Sequence, residues 1–316
     1  MAVTPKVPPP PIRSHRPPHA LLRPEIALPF LLVALIWGST WLVIKDQLTA
    51  APASWSVTYR FAVATVGMGL LALIRGESFR ITAGGHVLAI AIGLTQFFLN
   101  FNFVYRAELH LTSGIVAVLF GLLMLPNAVL GRIFLGQQVT PRFILGGLVG
   151  LAGIAALLIN EARTAPLGGD VALGILFCAI AILSASSANI AISTRQAQRV
   201  PVVVLLTWAM AWGTLIDAGL AWAVAGAPVF PASARYWGGV AYLGLIGSVL
   251  AFPLYYTLVR KLGAGRAAYN GVVVPVVAMA LSTVFEGYCW SSLALIGGVL
   301  ALGGMMIALR ARHPVT

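Results

Sequence analysis

Apolar residues in this chain fall in long blocks rather than in alternation. Stretches of about 18 to 25 residues with almost no charge recur between short polar segments. Blocks of that length predict helices that cross a bilayer, because lipid offers no partner for backbone N–H and C=O groups and a helix bonds its own. The alternating strands of about ten residues that a membrane barrel requires are missing. The blocks predict ten spans, at about 27–45, 53–74, 86–105, 110–131, 141–159, 171–193, 202–225, 237–258, 265–285 and 290–310. The expected fold class is an all-α membrane protein with loops too short for a soluble domain. Residues 1–26, MAVTPKVPPPPIRSHRPPHALLRPEI, break the pattern: rich in proline, with four cations, they cannot bury a core. They read as a disordered basic tail that touches anionic lipid, and they lack the charge, apolar stretch and cleavage site of a signal peptide.

Composition agrees with the pattern. Hydrophobic residues make up 59% of the chain and charged ones 9%, with mean hydropathy +0.94, against about 45–50% and about 25% in soluble domains. The net charge of +12 sorts by side of the membrane. The tail, the even-numbered loops and the C-terminus hold 15 of the 20 Lys and Arg residues, and the odd loops hold four, Lys45, Arg106, Arg163 and Arg235. The positive-inside rule then puts both termini in the cytoplasm, and an even number of spans agrees by keeping them on one side. The charge reports topology and lipid contact, and nothing in it calls for nucleic acid.

The chain also repeats. Gly93–Tyr105, GLTQFFLNFNFVY, aligns with Gly244–Tyr256, GLIGSVLAFPLYY, at an offset of 151. Pro126 aligns with Pro275 at 149, and Gly146, Gly147 and Gly153 with Gly297, Gly298 and Gly304 at 151. Three segments in order at nearly one offset indicate a duplicated five-span unit, 27–160 and 170–310. An odd number of spans per unit makes the second copy enter from the opposite face, the inverted-repeat plan in which substrate sits between the halves near the midplane.

Trp37-Gly38 in the first span, Arg60-Phe61 in the second, Pro275 in the ninth, Phe285-Glu286-Gly287 at its end and a glycine-rich last span together resemble the EamA-type transporters of the drug/metabolite transporter superfamily. The resemblance covers about residues 27–310. It implies alternating access through ten helices, a bacterial inner-membrane location, and a small-metabolite cargo such as an amino acid, with export the expected direction. Gly136-Gln137 stands where the acidic signature of the first repeat belongs.

Candidate cavity residues follow from polar and aromatic groups inside apolar blocks, which lipid disfavours. Trp37 and Trp41 share a face at i, i+4 with Thr40 beside them, and Gln96 and Asn100 stack likewise. Ser184, Ser186, Ser187 and Asn189 occupy the equivalent depth in the sixth span, where packing between helices is the alternative role. Arg60 and Asp217 each lie about eight residues from the outer end of a span, roughly 12 Å deep. An ionised residue there costs roughly 2.5–3.5 kcal/mol, which pairing offsets. The functional expectation is that they pair with each other or with the carboxylate and ammonium of a zwitterion. The structural one is a snorkelling arginine and a protonated or packed aspartate. Pro126 and Pro275 are hinge candidates or static kinks. Of the eight acids only Asp217 reads as deep, so proton coupling would run through it, and Glu286 reads as ordering the loop before the last span.

Other classes fit less well. No GxxxxGK[ST] loop is present. His15, His19, His86, His110 and His313 lie at scattered ends, and Cys178 and Cys289 form no CxxC, so no enzyme, cofactor or metal site is expected. A passive channel is the nearest rival to a carrier. The partners expected are a small-molecule substrate and membrane lipid, and no oligomer is required.

Overall fold

The computed structural model describes residues 24–136, 138–164, 170–262 and 270–310; among these there are helices and short connections and no strand. Most of the expected tail, together with Gln137 and Arg266, lies outside the described residues. In chain order the helices are α1 Pro24–Gln47, α2 Ala53–Ile74, α3 Ala83–Ala107, α4 Ser113–Leu135, α5 Pro141–Thr164, α6 Val171–Ile192 and α7 Val202–Ala225. Then come α8, built from Ala234–Ala241, Tyr242–Leu250 and Ala251–Leu262, α9 Asn270–Phe285 and α10 Ser292–Arg310. Among the described residues nine of these are long and apolar enough to cross a membrane, and α9, with 16 residues, is a shorter apolar helix.

Short polar residues start several helices: the side chains of Thr82, Asp170 and Ser233 accept from the amides of Gly85, Leu173 and Tyr236, satisfying donors that a first turn leaves free. Gly136 closes α4 at φ 67°, a left-handed cap that a side chain disfavours. Leucines such as Leu28, Leu70, Leu73 and Leu145 stand exposed on the outer surface, a liability in water and the ordinary state of a surface solvated by lipid.

Two apolar cores form inside. One joins α4, α5, α9 and α10, the other α2, α3 and α7, and Trp41 and Phe120 pack against both. The α5–α10 seam brings backbones into contact: a Cβ on Gly146 would stand 2.4 Å from the Ala308 amide nitrogen, and one on Gly153 2.2 Å from that of Ala301. α3 crosses α7 at Gly93, where a Cβ would meet the Ala209 carbonyl at 2.6 Å, and α8 crosses α2 at Gly244, where one would meet the Arg60 carbonyl at 3.0 Å. Both α3 and α8 contain wide turns with π-type bonding, at Gly93–Asn100 and Tyr242–Leu250, a rare geometry that re-aims side chains and recurs at functional sites. The end of the bundle at Pro24, Leu135 and Arg310 is called proximal below, and the end at Gln47, Ala107 and Ser292 distal.

Candidate functional site

Between the two cores lies a cavity of about 280 Å³, at the small end of ligand pockets, which run from about 300 Å³ upward. α1 contributes Trp37, Thr40 and Trp41, α2 Arg60, α3 Gln96 and Asn100, α4 Phe120 and Asn127, α6 Asn189, α8 Phe252 and Tyr255, and α9 Asn270 and Pro275. The aromatic wall is tightly set. Trp37 lies 5.6 Å from Phe252 and 5.0 Å from Tyr255 between ring centres, and its indole N–H donates to the Gly247 carbonyl in the wide turn of α8 at 3.2 Å. Trp41 packs on Phe120 at 5.0 Å, and its own N–H is buried without a partner.

Arg60 is the charged side chain in this lining among the described residues. It is 3% exposed, and its guanidinium stacks over the rings of Phe101 and Phe61 at 4.3 and 5.1 Å. Nε and Nη1 have no hydrogen-bond partner. A buried guanidinium with free donors attracts an anion, and its fork matches a carboxylate. Acceptors stand in the same wall: Oδ1 of Asn100 and Oδ1 of Asn270 are buried and unpartnered, while Asn270 Nδ2 donates to the Phe30 carbonyl at 2.9 Å.

The sequence-derived candidates divide. Trp37, Thr40, Trp41, Arg60, Gln96, Asn100, Asn189 and Pro275 line the cavity. Ser187 does not: it is exposed, and its hydroxyl donates back to the Leu183 carbonyl at 2.9 Å. Ser186 and Asn189, three residues apart on one face, instead reach Asn127 Oδ1 at 2.8 and 3.4 Å, and Ser187 is turned away from that face by the helical period. Asp217 also lies away from the cavity and does not pair with Arg60. It is fully buried between α7 and α3, where Asn102 Nδ2 donates to it at 2.5 Å, and Arg106 donates in turn to Asn102 Oδ1 at 3.1 Å. Asn102 follows Asn100 by two residues, so it points to the opposite side of α3. Pro126 is half-buried outside the lining, just after a tight 3₁₀ turn at Gly121–Leu123.

Some polar residues were missed. Asn127 and Asn270 line the cavity, and the rule that singled out Asn100, an amide inside an apolar block, applies to both. Asp217 is not the only buried acid among the described residues: Glu108 and Glu161, at the ends of α3 and α5, are 0% and 1% exposed. Glu286 does more than order its own loop, since Ser113 at the start of α4 donates to it through both its amide and its hydroxyl.

The EamA-like transporter family matches residues 26–159 and again 172–310. Protein PagO of Salmonella typhimurium is 23% identical over 92% of this chain and 95% of its own. A Streptantibioticus cattleyicolor protein named probable terminal-alkyne amino-acid exporter is 24% identical over 88% of this chain and 91% of its own. The inner membrane transporter YedA of Escherichia coli, itself uncharacterized, is 28% identical over 87% and 88%. One solved crystal structure superposes with a TM-score of 0.66 at 25% identity, covering 90% of this chain and 96% of that one. With two family matches that together span nearly all of its helices, the chain belongs to the EamA-like transporter family and is a multi-pass transporter of the bacterial inner membrane.

Proposed function

We propose that this protein is a secondary transporter that moves a small amphipathic metabolite with a carboxylate group, an amino acid or a close relative, out of the cell by alternating access. Arg60 carries the reading: a buried cation with two unpartnered donors in a cavity whose described lining holds no acid. In the bound state a substrate carboxylate takes the guanidinium fork, the ammonium is accepted by amide oxygens such as Asn100 Oδ1, and the apolar side chain lies against Trp37, Tyr255 and Phe252. The relative named as an amino-acid exporter supports both the cargo class and the direction.

The architecture proposed is ten spans in two inverted repeats, 27–160 and 170–310, with the tail and both termini in the cytoplasm. Reciprocal contacts support it. Gly146 abuts Gly304, and Gly153 abuts Gly297; in the repeat alignment Gly146 corresponds to Gly297 and Gly153 to Gly304, so each contact is the image of the other, as a two-fold axis requires. The Gly93–α7 and Gly244–α2 crossings and the two wide turns form further matched pairs. Pro275, in the cavity wall, and Pro126, beside the 3₁₀ turn, serve as hinges between the halves. Burial of Glu108 and Leu111 at the distal end, both at 0% exposure, favours a carrier over an open channel.

Counterflow in proteoliposomes tests the cargo. Vesicles loaded with unlabelled phenylalanine should accumulate labelled phenylalanine saturably. Phenylpropionate, which keeps the carboxylate, should compete, and phenethylamine, which lacks it, should not. Equal competition by the amine would remove Arg60 from the role.

A further inference from the structure

The distal end holds ionisable groups that the cavity does not use. Lys45 near the end of α1, Glu108 between α3 and α4, Glu161 on α5 and Glu286 after α9 gather around the first residues of α4. The Thr112 amide donates to Glu161 Oε1 at 2.8 Å, and the Ser113 amide to both oxygens of Glu286 at 3.2 Å. Two carboxylates thus occupy the positive end of a 23-residue helix. Lys45 spends its ammonium on the backbone carbonyls of Glu108 and Leu111.

Glu108 has none of this support. Its carboxyl is fully buried, and neither oxygen has a hydrogen-bond partner. Lys45 from α1, Arg60 from α2, Tyr105 from α3, Cys178 from α6 and Glu286 beyond α9 are the charged and titratable groups that act on it. Burial pushes the Glu108 acid well above the ordinary carboxylate range, Lys45 pulls it down, Glu286 pushes it further up and Arg60 pulls it down. A carboxylate without donors in such a place is held neutral. Its position matters for transport. Ile44, next to Lys45, and Val104, one helical turn before Glu108, line the cavity, so the cluster sits about 6 Å beyond the cavity's distal limit.

We propose that Glu108 is a proton-binding site that controls the distal closure of the cavity. With its proton on, Glu108 is neutral, the cluster stays dry, and the distal ends of α1, α3, α5 and α9 remain gathered on the start of α4. Breaking its O–H bond passes the proton to water on the distal side and leaves a third carboxylate beside two others; repulsion and hydration then part Glu286 from Ser113 and open the cavity outward. This rests on alternating access, but its test uses no transported substrate, so the two readings fail separately.

The test uses the full chain in lipid nanodiscs. An infrared pH titration should show a carboxylic-acid carbonyl band at neutral pH that Glu108→Gln lacks and Glu286→Gln keeps. Distal opening is read by maleimide labelling of Leu111→Cys in a Cys178→Ala background, as a ratio to the exposed native Cys289, which corrects for thiol ionisation. That ratio should rise about tenfold per pH unit below the Glu108 midpoint and stay low and flat once Glu108→Gln is added. An acid band unaffected by Glu108→Gln, or labelling that follows pH equally with and without it, overturns the proposal. If Glu108→Gln yields no folded protein, Glu108→Asp takes its place; a displaced midpoint supports the site, and an unchanged one overturns it.

Discussion

The α5–α10 seam and the cavity wall of α1, α3 and α8 are both helix contacts within one bundle, built in opposite ways. At the seam side chains are withdrawn, so Gly146, Gly153 and Gly304 let the backbones touch, and dispersion between close-packed atoms holds helices that lipid gives no hydrophobic reason to associate. At the wall side chains are large, α3 and α8 are locally unwound, the Trp41 N–H has no partner, and Nε and Nη1 of the facing Arg60 on α2 have none either. Stability is concentrated where nothing is left to bind, and unsatisfied chemistry where a ligand completes it.

That contrast is open to direct attack. The largest expected effect is at the seam: Gly153→Leu would drive a side chain into the Ala301 backbone, where even a Cβ stands at 2.2 Å. It should cost about 3 kcal/mol or more and abolish recovery of monodisperse protein on size-exclusion chromatography. At the wall, Arg60→Met removes a charged hydrogen-bonding partner worth about 1.5–3 kcal/mol, so counterflow should fall about 10- to 100-fold. The same change should raise the melting temperature of the empty protein, because a buried cation with two unsatisfied donors is gone; a fall in both would mean that Arg60 is structural.

A smaller effect is expected at the distal end. Glu108 binds its proton more tightly folded than unfolded, since burial raises its folded value. Its contribution to stability is therefore full below the ordinary glutamate value of about 4.3 and is lost as pH rises toward the elevated folded value. Thermal melts should decline over that window, and Glu108→Gln should flatten the decline. The smallest effect returns to α10: a Cβ on Gly303 meets nothing within 4 Å, so Gly303→Ala should leave transport unchanged and raise stability by at most about 1 kcal/mol from helix propensity. A loss there like that at Gly153 would show that the seam is not what holds α10.

The helices were legible because lipid admits few backbone solutions, and the blocks at 53–74 and 202–225 coincide with α2 and α7. Within a helix, facing was most legible where residues recurred at i, i+4, although Arg60 and Asn189 also face the cavity without such a pair. Trp37 with Trp41 and Gln96 with Asn100 share the cavity on that ground. Ser187 and Asp217 lacked such a pair, and neighbouring helices turned them elsewhere. Glu108 and Glu161 stand at block edges, where a charge reads as solvated; only the convergence of α1, α3, α4, α5 and α9 buries them.

By itself the sequence determined that this chain is a helical membrane protein, roughly where its apolar blocks lie, and which glycines recur at one offset, because hydropathy and period act locally. Tertiary structure alone decided which polar groups meet: that Arg60 faces the cavity without an acid, that Asp217 is tied to Asn102, and that Glu108 is sealed beside Lys45. The reason is physical. The rotation of a helix about its axis is set by what it packs against, and a buried charge acquires its meaning from partners that lie far away along the chain.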